Sequence, residues 1–121
     1  MDMQSRLKAL PRKERDAVIA KATRIALRVC ERAGFSQGLR YAIDSRNGAK
    51  ALSEHERINR DLRGWRDSCY TPRAVYASWA IFMALQTGRQ SIPLDHAQAV
   101  VYSTAHACVN PYRMLRHLLP A

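Results

Sequence analysis

The stretch Ala74–Leu85 reads AVYASWAIFMAL and contains no charged side chain. Its apolar residues do not alternate with polar ones, as a half-exposed strand would require, and on a helix they cover nearly every side. A helix that is apolar all round belongs in an interior. Thr71-Pro72 stands before it as a cap followed by proline at the first helical position, and Gly88 lies beyond its end. Twelve residues of helix rise about 18 Å, well short of the roughly 30 Å of a hydrocarbon core. The stretch is therefore predicted to be the central helix of a soluble bundle.

The segments around it carry the same period. In RKERDAVIAKATRIALRVCERAG, Val18, Ala22, Ile25 and Val29 recur at four, three and four, between Pro11 and Gly34. SQGLRYAIDSRNG reads as a short helix from Ser36 that stops at Gly48. Ser53-Glu54-His55-Glu56 matches a capping box, opening a helix with Ile58, Leu62 and Trp65 inward. Pro93 and Asp95 introduce a helix through Ala97, Val101, Ala105 and Cys108, with Asp95 as its end cap. Asn110-Pro111 stops that helix and caps a last short one. No alternation is sustained and no hairpin signal is flanked by β-branched runs. These spacings predict an all-α, single-domain bundle over residues 1–121, with five or six short helices around one apolar central helix. Trp79, Ala80, Phe82 and Met83 are expected inside, with Trp65 beside them.

A chain of 121 residues, 47% apolar and 25% charged, can bury a core without disulfides or a metal. Cys30, Cys69 and Cys108 are widely separated and odd in number, which suits reduced, buried thiols in the cytoplasm. The N-terminal residues lack the apolar run of a signal peptide. No membrane contact is expected.

The net charge is +10, unevenly distributed. Residues 1–50 hold 12 basic and 5 acidic side chains, residues 51–70 hold four of each, and residues 71–121 hold four and one. RINRDLRGWRD places Arg57, Arg60, Arg63 and Arg66 three apart within the neutral block. At about 100° per residue these four spread over roughly half the helix circumference, away from Ile58, Leu62 and Trp65. Glu56–Arg60, Arg57–Asp61 and Arg63–Asp67 stand at the spacing at which helix side chains pair. The ladder thus reads as a solvated face, with a direct anion grip as the alternative. The first long helix is the more electropositive. Arg15, Lys21, Arg24, Arg28 and Arg32 fall largely off its apolar stripe, and Lys21, Arg24 and Arg28 have no acidic neighbour four residues away. They are the candidate partner-binding residues, suited to nucleic acid or an acidic protein surface.

Catalytic and cofactor motifs are missing from the sequence. His55, His96, His106 and His117 form no i, i+4 pair, and neither a glycine-rich phosphate loop nor a nucleophile elbow occurs. His55 is expected at a core edge, bonding between helices. His106 is expected to neighbour Ser103 or Asn110. No enzymatic activity, cofactor or metal is expected; the alternative is a small cysteine- or histidine-dependent enzyme whose nucleophile is assembled from distant segments.

The alanine- and cysteine-bearing AKATRIALRVCERA, the short YAID, and the later RAVYASWAIFMALQ and HAQAVVYSTAHACV together resemble the helical immunity proteins that accompany bacterial polymorphic toxins. The resemblance spans roughly residues 17–109 and implies a stoichiometric, non-catalytic blocker of a toxin or nuclease. Two functional expectations follow. The first is a small basic binding protein that docks on an acidic partner; the alternative is an immunity or inhibitor protein. A homodimer is compatible with either.

Overall fold

A computed structural model of the chain describes residues 2–62, 71–86 and 93–119. These residues form seven helices and no strand: α1 (Met3–Ala9), α2 (Arg12–Arg32), α3 (Ser36–Ser45), α4 (Gly48–Leu62), α5 (Thr71–Leu85), α6 (Leu94–His106) and α7 (Pro111–Leu118). The expected class holds, with more helices than anticipated. The added one is α1, whose N-terminus is capped by Asp2 accepting from the Ser5 amide at 2.8 Å. That bond holds the Asp2 carboxyl below its usual range. α1 packs on α6 and its Leu7 is fully buried. Leu7 is its one buried residue, with Met3 partly buried against the core, which is too little for a periodic signal in the sequence.

Helix ends follow local chemistry. α2 closes in a Schellman motif. The Phe35 amide reaches the Cys30 carbonyl at 2.8 Å and the Gly34 amide reaches Glu31 at 3.0 Å, with Gly34 at φ 87°. α3 ends with the same pair of bonds, from Asn47 to Ala42 and from Arg46 to Ile43. Here Arg46 holds the left-handed position at φ 52°. Asn47 then caps α4 by accepting from the Lys50 amide at 2.9 Å. The capping box expected at Ser53 therefore lies inside α4, because the asparagine cap starts the helix a turn and a half earlier. Gly48 opens α4 instead of stopping α3. Asp95 is likewise not a cap: α6 begins after Pro93, and the Asp95 carboxylate accepts from the adjacent His96 amide at 3.0 Å. Asn110 does cap α7, accepting from Arg113 at 3.1 Å, with Pro111 first in the helix.

α5 is the central helix and packs against α2, α3, α4 and α6. Its innermost residues are small: Ala74, Ala77, Ser78, Ala80 and Ala84, with Ile81 as the one large member. Eleven of the 22 buried apolar residues among those described are alanine, so helix backbones approach closely and leave no room for rings. This corrects the expectation for Trp79, which is 38% exposed, while Phe82 and Met83 are only partly buried at the core's edge. Ala80 is fully enclosed as expected. Trp65 lies outside the described residues. Buried hydroxyls are satisfied within the bundle. Thr23 bonds the Ile19 carbonyl at 2.8 Å, and Thr104 reaches across from α6 to the Ala22 carbonyl of α2 at 3.4 Å.

Gly48 shows how tight the fit is. A Cβ there would stand 2.7 Å from the Leu85 carbonyl oxygen at the end of α5. Backbone cannot swing aside as a flexible side chain would. Gly48→Ala should therefore cost about 1–3 kcal/mol of stability by forcing α4 away from α5, although alanine is otherwise the better helix former. Urea melts of the two proteins measure this, and an unchanged or higher midpoint would refute the close contact.

Candidate functional site: a cationic groove and an aromatic groove

The candidate residues on α2 separate by helical geometry. At about 100° per residue, Lys21, Arg24, Arg28 and Arg32 fall within an arc of roughly 80°, while Arg15 falls on the arc of the core-facing Ala22 and Ala26. The structure agrees. Arg15 is half-buried; it donates to the Leu10 carbonyl at 3.3 Å, and its Nε is buried without a partner. It braces the α1–α2 turn. Lys21 donates to the His117 carbonyl at 3.4 Å, tying α2 to α7. Arg24 is exposed.

Arg28 and Arg32 enter a groove of about 440 Å³ between α2, the start of α5, the turn after α6, and α7. Arg73 and His117 line it too, and among the described residues no carboxylate does. Glu31, the acid nearest to them on α2, faces another way and pairs with Arg40 of α3. Apolar walls come from Ile25, Val29, Val109 and Met114. Two of the five sequence candidates, Arg28 and Arg32, thus come together in the groove. The sequence reading missed Arg73, although no acidic residue stands within four positions of it. His117 carried no signal, because only the packing of α7 on α2 brings it to the groove.

Cys108 lines the same groove. Burial pushes its thiol up, against the pull of the neighbouring Arg73 and Arg32 charges, and its Sγ donates to the Thr104 carbonyl at 3.3 Å. It is held as a thiol, which is a poor nucleophile. Cys30 is pushed further, to about 12, by burial.

Within the arginine ladder, Arg57 serves the fold. Arg57 meets Glu54 at 2.8 Å and Asp61 at 3.6 Å, and its guanidinium lies 5.8 Å from the Phe35 ring centroid. Glu54, nearly buried, also takes Lys50 at 3.2 Å. Burial raises the Glu54 carboxyl, but hydrogen bonds and charge from Arg57 and Lys50 outweigh this and leave it below its usual range. Arg60 is exposed, while Arg63 and Arg66 lie outside the described residues.

A second groove, about 580 Å³, runs between α4, α5 and α6 with Met3 at one end. Tyr76, Trp79 and Tyr102 line it, with His55 and Asp95. Ring contacts connect its walls: His55 to Trp79 at 5.1 Å, Trp79 to Phe82 at 5.3 Å, and His106 to Tyr102 at 4.1 Å and to Tyr76 at 5.8 Å. His106 thus meets two tyrosines. His55 fulfils its expected role, with Nδ1 standing 2.7 Å from the Ser78 hydroxyl across α4 and α5. Ser78 donates to the Val75 carbonyl at 3.0 Å, so Nδ1–H is the donor to Oγ. Ser78 is fully buried, and the pair is a structural link.

His55 and Glu54 both contribute to the pH dependence of stability. Burial lowers the His55 pKa from its ordinary 6.5, so the unfolded chain binds the extra proton first as pH falls. Stability should therefore rise with pH through the region below 6.5 and level off above it. Glu54, depressed from 4.5, contributes stability above that value which is lost as pH falls further. Urea midpoints at about pH 5 and pH 7.5 should differ in the parent and converge in His55→Gln. Equal midpoints in the parent would contradict a lowered pKa for the half-buried histidine.

No cluster of potential metal ligands occurs among the described residues, and none of their helices is long and apolar enough to cross a membrane. No protein-family model, curated protein or solved structure matches the chain.

Proposed function

We propose that this is a small, non-enzymatic binding protein that docks on an acidic partner through the cationic groove. The observation that carries this reading is the convergence of Arg28, Arg32 and Arg73 with His117 on one groove that has no carboxylate among the described residues. Three guanidiniums from two helices, held over apolar walls, raise the local positive potential beyond what net charge alone provides. Guanidinium forks suit phosphate and carboxylate oxygens alike. The cytoplasm is the setting proposed, in keeping with the free thiols of Cys30 and Cys108.

The test is binding of duplex DNA and of heparin across a salt titration. Phosphate contacts release counterions, so affinity for DNA should fall steeply and log-linearly with salt. Measurable DNA affinity near about 0.1 M salt would favour nucleic acid as the partner. Heparin binding without DNA binding would favour an acidic protein surface. If neither polyanion binds, the groove does not serve an acidic partner.

A further inference from the structure

The second groove differs in chemistry from the first and shares none of its lining residues. Residues 71–121 contain a single acidic side chain, Asp95, and it lies in this groove. His55, the only other ionisable ring there besides the tyrosines, is kept neutral near pH 7 by burial. Tyr76, Trp79 and Tyr102 are 40%, 38% and 47% exposed. Aromatic faces carry negative quadrupole charge, so the lining presents one carboxylate and three electron-rich rings to whatever enters. In a chain of net charge +10 this is a local site of the opposite sign.

We infer that the aromatic groove is a docking site for an arginine side chain projecting from a partner protein. Charge complementarity selects the cation. The flat guanidinium stacks on an indole or phenol face while its fork donates to the Asp95 carboxylate, which an ammonium cannot do in two parallel bonds. The exposure of all three rings suits a side chain arriving from outside better than a small ligand, which is normally enclosed over most of its surface. Tyrosine, tryptophan and arginine are also the residues that dominate the energetics of protein contacts. The site is independent of the cationic groove, and together the two grooves would let the protein read a partner surface of mixed charge.

The probe is N-acetylarginine amide, titrated into the full chain and followed by the indole and amide resonances in nitrogen–proton correlation spectra. N-acetylcitrulline amide serves as the neutral isostere. Arginine should give saturable shifts at Trp79 and α6, with citrulline at least fivefold weaker. Asp95→Asn keeps an acceptor for the His96 amide and should fold normally; it should weaken arginine binding at least fivefold. Trp79→Leu should abolish the shifts on α6. The inference is overturned if no saturation appears up to about 50 mM, if citrulline binds as well as arginine, or if Asp95→Asn binds like the parent. Two further results overturn it by naming another occupant. Tetramethylammonium binding as tightly as arginine would make the groove a small-cation pocket. Concentration-dependent dimerisation lost in Asp95→Asn would place a second copy of this chain there.

Discussion

Truncating Ile81 to alanine should lower the free energy of unfolding by about 2–5 kcal/mol, a large share of the roughly 5–15 kcal/mol that holds a domain together. Ile81 is fully buried on the helix that touches four others, and it is the only large side chain on that helix's inner face. Its removal leaves a void that alanine neighbours cannot fill, because none has a side chain to swing inward. The neighbouring position should fail in the opposite way. Ala80→Leu adds three heavy atoms where backbones are in near contact, and should cost about 1–3 kcal/mol or more through overpacking. Urea melts of both variants give the values. A loss below about 1 kcal/mol for Ile81→Ala would mean that α5 is not the centre of the bundle.

Reversing Arg28, Arg32 and Arg73 to glutamate should abolish most polyanion binding. Each reversal changes the charge by two units, taking the net charge from +10 to +4. If all three guanidiniums meet phosphates, the slope of log affinity against log salt should flatten by about three. The control is Arg12, Lys13 and Arg60 to glutamate, which makes the same change in net charge at exposed positions outside the groove. At about 0.1 M salt the groove variant should lose at least about a hundredfold in affinity, and the control less than about tenfold. Equal losses would show that only net charge matters, which would remove the groove from the account of binding.

Much of this architecture was readable in the residues. The period of Val18, Ala22, Ile25 and Val29 and the charge-free run from Ala74 placed α2 and α5, Gly34 marked the end of α2, and Asn110-Pro111 marked the start of α7. What periodicity does not carry is distance between helices. It identifies an apolar side but not how deep a ring can go, so Trp79 was expected inside although its neighbours Ala77, Ala80 and Ala84 had already set a spacing too small for it. Ser53-Glu54-His55-Glu56 imitated a helix start because the same residue types serve within helices. At the cationic groove, Arg28 and Arg32 were visible as charges off the apolar stripe of one helix. His117 was not visible, since its place depends on the docking of α7, and Arg15 looked equivalent to the others until its angle around α2 was compared with the core. The sharing of one groove by Tyr76, Tyr102 and Asp95 is a tertiary fact about α5 and α6 that neither segment shows alone.

The alanine interior also shapes how the fold responds to temperature. A buried alanine hides less hydrocarbon from water than a leucine does, and it surrenders no rotamer freedom on folding. Unfolding such a core re-exposes comparatively little apolar surface. The heat-capacity increment should then lie at or below the low end of about 12–15 cal/mol/K per residue. A small increment flattens the curve of stability against temperature, so the bundle should lose little of its margin on cooling. On heating, the bundle should melt where chain entropy outweighs close backbone packing and helix hydrogen bonds.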